Sequence, residues 1–345
     1  MSDQHSALDD LNPQQRAAVV HEGSPLLIVA GAGSGKTRVL TRRIAYLLSD
    51  RNVSPQEVLA ITFTNKAAGE MKERVLDLVG NKAKLMQVST FHSACVRFLR
   101  SDAQKLGRSS TFSIYDSQDS LRLITMIAAG LEINSKVLSP RSLASQISSL
   151  KSELIDHESY SRRVETEQER LVAQVYSEYD QRLARANAFD FDDLIGATVA
   201  LLQLFPDVKQ KFRKRFKHIL VDEYQDTNHA QYILIKELVG SSKDGMPAAE
   251  LCVVGDADQS IYAFRGATIR NIEEFERDFP NAKTILLEQN YRSTQNILSA
   301  ANAVISQNAE RREKKLWTDQ GQGEPIVGYV ADKDRKSTRL NSSHT

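Results

Sequence analysis

Residues 26 to 37 read Leu-Leu-Ile-Val-Ala-Gly-Ala-Gly-Ser-Gly-Lys-Thr, and this stretch decides the fold. Leu26 to Val29 form a short apolar run without alternation, as in a strand of a parallel sheet covered on both faces. Gly31, Gly33 and Gly35 follow, and the sequence predicts left-handed backbone angles there that aim successive N–H groups into a cavity. Lys36 and Thr37 then open a helix whose apolar positions are Val39, Leu40, Ile44, Leu47 and Leu48. Such a turn suits polyphosphate: backbone N–H groups and the helix N-terminus face the anion, the Lys36 ammonium meets the β and γ phosphates, and the Thr37 hydroxyl meets a magnesium ion. Ala30, Gly31, Ala32, Gly33, Ser34, Gly35, Lys36 and Thr37 are therefore the candidate nucleotide loop. Ala30 stands where the pattern G-x-x-x-x-G-K-[ST] usually has its first glycine. A flexible glycine-rich loop of no special chemistry is the plain alternative, but the strand before it and the helix after it supply the context the motif requires.

The chain has 345 residues and 41% apolar content, enough for one large or two to three ordinary domains. No run approaches the ~18 apolar residues of a membrane span, and the N-terminus lacks the basic-then-apolar build of a secretion signal. Cys95 and Cys252 form no C-x-x-C pair, so neither a disulfide framework nor a zinc site is suggested, and a reducing cytoplasm is expected. Lys and Arg number 45 against 44 Asp and Glu. Net charge thus gives no argument for a polyanionic partner, and a nucleic-acid reading has to rest on local features. The dense basic stretch Lys209-Gln-Lys-Phe-Arg-Lys-Arg-Phe-Lys217 reads as a solvated helix face.

Upstream of the loop, Asn12 is a good N-cap and Pro13 suits the first helical position. Gln15, besides capping, could read the N6 and N7 edge of adenine with its paired donor and acceptor. Downstream, Val58 to Thr62 and Met86 to Thr90 read as further strands. The first ends in Phe63-Thr-Asn-Lys66, where an aromatic ring, Asn65 and a lysine could stack a base and hold phosphates, or could be an ordinary helix cap. The second ends in Thr90-Phe91-His92, and a lone histidine is more often structural. From about Phe112 to Ala188 the strand rhythm stops and the period is helical. Strands resume with His218 to Asp222, and the acids Asp222 and Glu223 at its end are what the phosphate loop needs opposite it: Asp222 for magnesium, Glu223 to orient and deprotonate water. Leu251 to Gly255 leads to Gln259, suited to feel the γ phosphate, and to Tyr262 and Phe264, two rings for bases or for the core. Thr284 to Glu288 leads to Tyr291 and Arg292, the latter a candidate γ-phosphate arginine.

Taken in order, Ala30–Thr37, Ile61–Ala67, Ser89–His92, Val221–Thr227, Val254–Tyr262 and Leu287–Ser293 resemble the motifs of superfamily 1A DNA helicases, the UvrD/PcrA/Rep family, in its actinobacterial branch. The resemblance covers roughly residues 8 to 332. It implies an α/β fold: a RecA-like P-loop NTPase parallel sheet with an inserted all-helical accessory domain and the start of a second RecA-like domain. The expected division is 1–111 and 189–288 for the first motor domain, 112–188 for the insertion, 289–332 for the start of the second, and 333–345 as a disordered or foreign tail. It implies ATP and Mg2+ as cofactors, Gln15 and Tyr291 on adenine, Arg292 on the γ phosphate, and Gln259 linking hydrolysis to the DNA track. Phe63, Asn65, Thr90, His92, Tyr262 and Phe264 fall where the family meets single-stranded DNA; several relatives carry Trp in place of Phe264. The implied activity is ATP-driven 3′ to 5′ movement that unwinds DNA at single/double-strand junctions in repair and replication. Family members are longer, with a second motor domain supplying a further arginine, so this chain reads as a truncated N-terminal half. The competing expectation is a module that binds nucleotide and single-stranded DNA without productive hydrolysis.

Overall fold

The computed structural model describes residues 7–241, 244–259, 270–307 and 314–328. Its centre is a six-stranded, all-parallel sheet of β1 (Leu26–Ala30), β2 (Val58–Thr62), β3 (Gln87–Thr90), β6 (His218–Val221), β7 (Glu250–Gly255) and β8 (Lys283–Leu287), in the order β3-β2-β6-β7-β1-β8. Every residue of β1 and β2 is buried, which explains the unalternated apolar runs. Successive side chains of β1 serve opposite faces. Leu27 and Val29 join an apolar cluster with Phe98, Phe212 and Phe216, whereas Leu26 and Ile28 join one with Val39, Leu40, Ile44 and Met71. Each such buried side chain contributes about 1.5–3 kcal/mol relative to exposure. Helices α1 (Pro13–Val20), α2 (Lys36–Ser49) and α3 (Asn65–Val79) sit on one side, and α4 (Phe91–Asp102) on the other.

Strand order fixes where chemistry can occur. β7 lies between β1 and β6, with Val29 level with Gly255 and Val253 level with Val221. The residues just past the carboxyl ends of these three neighbours therefore converge, as ligand-binding loops do in open α/β sheets.

Beyond α4 the chain leaves the sheet through β4 (Ser113–Tyr115), runs through α5 (Ser117–Gly130), α6 (Pro140–Ser152), α7 (His157–Ser161) and α8 (Glu167–Arg185), and returns through β5 (Ala188–Asp190). These helices gather a third apolar cluster around Ile127, Leu143, Val172, Tyr176 and Tyr179. The helical period alone gives no strand here, yet β4 and β5 pair in parallel at the root of the excursion. The root also carries a buried ion cluster. Lys151 Nζ lies 2.7 Å from Asp193, 2.9 Å from Asp190 and 3.3 Å from Asp180. Burial opposes its charge, but Asp193, Asp190 and Asp180 prevail and hold the ammonium well above its usual range.

After β5 come α9 (Phe191–Leu204), α10 (Pro206–Arg215) and α11 (His229–Val239), and after β7 come α12 (Arg270–Asp278) and, past β8, α13 (Gln295–Ile305). The basic stretch on α10 is not simply a solvated face. Lys209 pairs with Glu237 at 2.7 Å and Lys211 with Asp102 at 2.8 Å, while Arg213 is buried on Asp244 and the carbonyls of Ser241, Met246 and Pro247. No helix among the described residues is long and apolar enough to cross a membrane.

Candidate nucleotide and nucleic-acid sites

The phosphate loop joins β1 to α2. Ser34 closes it locally, its Oγ donating to the Gly31 carbonyl at 2.7 Å. Gly33 and Gly35 have φ of +71° and +88°, whereas Gly31 does not adopt positive φ, so the expectation of left-handed geometry at Gly31 is corrected. Gly31 instead lies against a distant segment: a Cβ there would stand 2.4 Å from the Leu316 side chain, which would have to shift. Ala30 is fully buried at the end of β1, where a methyl group is accommodated. Ala32 is exposed, and Lys36 and Thr37 begin α2 half-buried.

Opposite the loop, β6 delivers the two acids. Lys36 Nζ donates to Glu223 Oε2 at 2.8 Å and to Gln259 Oε1 at 3.3 Å. Glu223 has φ 48° and ψ 48°, a left-handed backbone that costs a non-glycine residue about 1–3 kcal/mol and is held only where surroundings determine it. Those surroundings are its N–H on Asp222 Oδ1 at 3.0 Å and its carboxylate on the Gln225 amide at 2.8 Å. The Gln225 carbonyl in turn accepts the Asp256 N–H at 2.9 Å, and Asp256 accepts the Gln259 amide. A closed polar ring thus runs Lys36–Glu223–Gln225–Asp256–Gln259 and back to Lys36.

Beside this ring, acids crowd one another at the end of β6. Burial, then the Glu223 charge, raises Asp222 to about 6, and the same two causes raise Asp226 to about 6. Asp226 Oδ1 is buried without a hydrogen-bond partner. Among the described residues no group of three His, Cys, Asp or Glu forms a metal cage. The unpartnered Asp226 oxygen fits magnesium, which takes one or two protein ligands and completes its shell with water and phosphate oxygens.

On the other side of the loop, the segment after β8 folds against it. Asn290, 2% exposed, donates to the Ala32 carbonyl and accepts the Arg292 and Ser293 N–H groups at 2.8 and 2.7 Å. The Tyr291 N–H donates to the Gly33 carbonyl at 2.9 Å. Arg292 is exposed, with its Cβ beside Gly33. Gln15 is buried against the loop: its Nε2 donates to the Ser34 carbonyl at 3.1 Å and its Oε1 accepts the Asn12 N–H at 3.2 Å. These two bonds use one N–H and one lone pair of that amide. The Asn12 amide donates to the Tyr291 hydroxyl at 2.8 Å, so the Tyr291 ring and Gln15 flank one edge of the loop.

The candidate DNA residues sit past β2 and β3. Phe63 is half-buried and Asn65 exposed at the first turn of α3. Thr90 is buried as the N-cap of α4, accepting the Ser93 N–H at 3.3 Å. His92 stands edge-on to Phe191, ring centroids 5.5 Å apart, and burial holds its imidazole below the usual range, so it is neutral near pH 7. Tyr262 and Phe264 lie outside the described residues. Residues that the sequence did not single out are Asn290, Gln225, Asp256, Lys314 and the 44%-exposed ring of Phe191. An aromatic directly after the strand-like Ala188-Phe-Asp190, as in Phe63 after β2, is the signal that could have found Phe191.

Comparison with known proteins adds the following. The model described as the UvrD/REP helicase N-terminal domain matches residues 11–280, and that described as the UvrD-like helicase C-terminal domain matches residues 285–342. The chain is 67% identical over 338 residues to a Mycobacterium tuberculosis (strain ATCC 25618 / H37Rv) protein named ATP-dependent DNA helicase UvrD1, covering 96% of this chain and 44% of that protein. A protein of the same name from Mycobacterium leprae (strain TN) is 62% identical over 342 residues, with the same shares covered. ATP-dependent DNA helicase PcrA of Staphylococcus aureus (strain Mu50 / ATCC 700699) is 51% identical over 331 residues, again 96% of this chain and 44% of that protein. The chain therefore spans under half the length of the curated relatives it matches.

Proposed function

Because this chain belongs to the UvrD/REP helicase family, we propose that it is the ATP-binding motor portion of an ATP-dependent DNA helicase. The observation that carries this reading is the 2.8 Å contact of Lys36 with Glu223 across the carboxyl ends of β1 and β6, with β7 between them. ATP entering the loop draws the Lys36 ammonium from Glu223 onto its β and γ phosphates. The freed Glu223 carboxylate then faces the terminal phosphate, where it orients the attacking water and accepts its proton. Thr37 and Asp222 would hold the magnesium ion, which when bound neutralises charge on the phosphate oxygens. Arg292 reaches the γ phosphate, Gln259 senses its loss, and Gln15 with Tyr291 takes the adenine.

Single-stranded DNA runs over the carboxyl ends of β2 and β3, past Phe63, Asn65 and His92, with Phe191 beside them; the family resemblance adds Tyr262 and Phe264 to the DNA contacts. Rings at this position grip bases of any sequence by stacking, which suits a translocating motor. Movement is 3′ to 5′, displacing the paired strand at single/double-strand junctions, as the family resemblance implies. In domain terms, residues 1–111 with 189–288 form the first motor unit, 112–188 the accessory unit, and 289–332 belong to a second motor unit. Phosphate release from ATP, with and without an unstructured single-stranded oligonucleotide, tests the proposal. DNA-stimulated release is expected. ATP and DNA binding with no release above background would instead assign a binding module without turnover.

A further inference from the structure

Lys314 comes from the segment that follows α13, far from the phosphate loop in sequence, yet it enters the site. It is 8% exposed, its Nζ rests on the Asp256 carboxylate, and it lies 3.0 Å from Asp258. Two residues on, Leu316 covers Gly31, and the Leu316 carbonyl is tied to the α13 side chain Asn302 at 3.1 Å. The segment is thus fixed at both ends of the loop's mouth. Burial and the nearby Lys36 charge pull the Lys314 ammonium down to about 8, so the two lysines share one electrostatic site.

Asp256 is the junction. It is 2% exposed, and one carboxylate oxygen accepts the Gln259 amide while the other takes Lys314 and the Asp258 N–H at 3.1 Å. In this arrangement Gln259 presents its carbonyl oxygen to Lys36. One of the two amide N–H groups of Gln259 is held on Asp256 and its carbonyl oxygen faces Lys36, so the amide has to rotate to present a donor to a terminal phosphate beside Lys36, and that rotation breaks the bond to Asp256. A buried carboxylate left without compensation resists such a change strongly.

We propose that Lys314 is a positioning residue for Gln259: its ammonium compensates Asp256, which lets the Gln259 amide leave that carboxylate and donate to the terminal phosphate of a bound nucleoside triphosphate. The inference rests on the ATP-site reading above and adds a residue through which the segment after α13 senses the third phosphate. Lys314 touches no substrate itself.

The test is equilibrium binding of fluorescent ATPγS and ADP analogues to the full chain with Mg2+. Lys314→Met is expected to lower the preference for ATPγS over ADP by about tenfold, the worth of one charge-assisted hydrogen bond, with ADP affinity unchanged. Gln259→Ala is expected to lose the same preference, and adding Lys314→Met to it should cost nothing more. Adding Asp256→Asn to Lys314→Met is expected to restore the preference, because the neutral side chain no longer holds the Gln259 amide. Equal weakening of both nucleotides, an unchanged preference, additive losses, or no rescue by Asp256→Asn would each overturn the inference. A wild-type chain that binds neither nucleotide would overturn the ATP-site reading, and this inference with it, and is told apart because it involves no variant.

Discussion

Glu223→Gln makes nucleotide binding tighter, not merely intact. Without nucleotide, Lys36 is committed to Glu223 Oε2 at 2.8 Å and only loosely to Gln259 at 3.3 Å. Phosphate must displace that carboxylate before it can use the ammonium. The pair is unequally screened, with side-chain exposures of 11% for Lys36 and 36% for Glu223. A charge-assisted hydrogen bond in the interior contributes about 1.5–3 kcal/mol, and the exposure of Glu223 reduces this to about 1–2 kcal/mol. Replacing the carboxylate by an amide of the same shape removes most of the competition, so affinity for ATP should rise about 5- to 30-fold. The Gln225 amide, 2.8 Å from the same oxygen, still has an acceptor in the variant, so the left-handed backbone keeps its support. Titration with a fluorescent ATP analogue measures the affinity, and phosphate release measures turnover, which should vanish. Unchanged or weaker binding would refute the competition and place Glu223 on the metal or in the fold.

Three other perturbations follow from the same geometry. Asn290→Ala removes the Ala32, Arg292 and Ser293 contacts, and at about 0.5–1.5 kcal/mol each nucleotide affinity should fall at least fivefold in the same titration; unchanged affinity would mean that the loop keeps its shape unaided. Phe63→Ala and Phe191→Ala should each weaken oligonucleotide binding, measured by fluorescence anisotropy, by about 1–3 kcal/mol per lost stack, leaving nucleotide affinity intact; a loss of both together would point to the core instead. Lys151→Met should destabilise the chain by about 3–5 kcal/mol at pH 7.5 by stranding buried carboxylates, and by clearly less at pH 5. The sign follows from Asp193 and Asp192, raised by burial and then chiefly by Asp190 among the acids to about 7 and about 6 from 3.8. Between pH 4 and 7 the folded chain holds protons that the unfolded chain has released, so stability from this source falls as pH rises. Equal losses in urea unfolding at the two pH values would contradict the assignment.

Much of the sheet is legible in the sequence because parallel strands buried on both faces leave unbroken apolar runs. Leu26 to Ala30 and Val58 to Thr62 are such runs, and the glycines and acids at strand ends mark the crevice. Strand β4 is not legible: its three residues are exposed or half-buried, and it becomes a strand only because residues 188–190 return beside it. Contacts across long sequence gaps are equally silent. Gly31 reads as a conformational glycine until Leu316 is seen against it, and Lys314 reads as one more surface lysine until it is found on Asp256. Composition misleads at Lys151 and Arg213, two cations buried among carboxylates and carbonyls within a chain of almost zero net charge.

A nucleoside triphosphate held between Lys36 and the acids after β6 is the central claim, and calorimetric titration of the chain and its Lys36→Ala variant with ATPγS and Mg2+ tests it most directly. The wild-type chain should bind one equivalent, and the variant, which lacks the ammonium facing Glu223, should bind at least about a hundredfold more weakly, as expected for a charged phosphate contact in a partly buried site. Equal binding by both would contradict the claim.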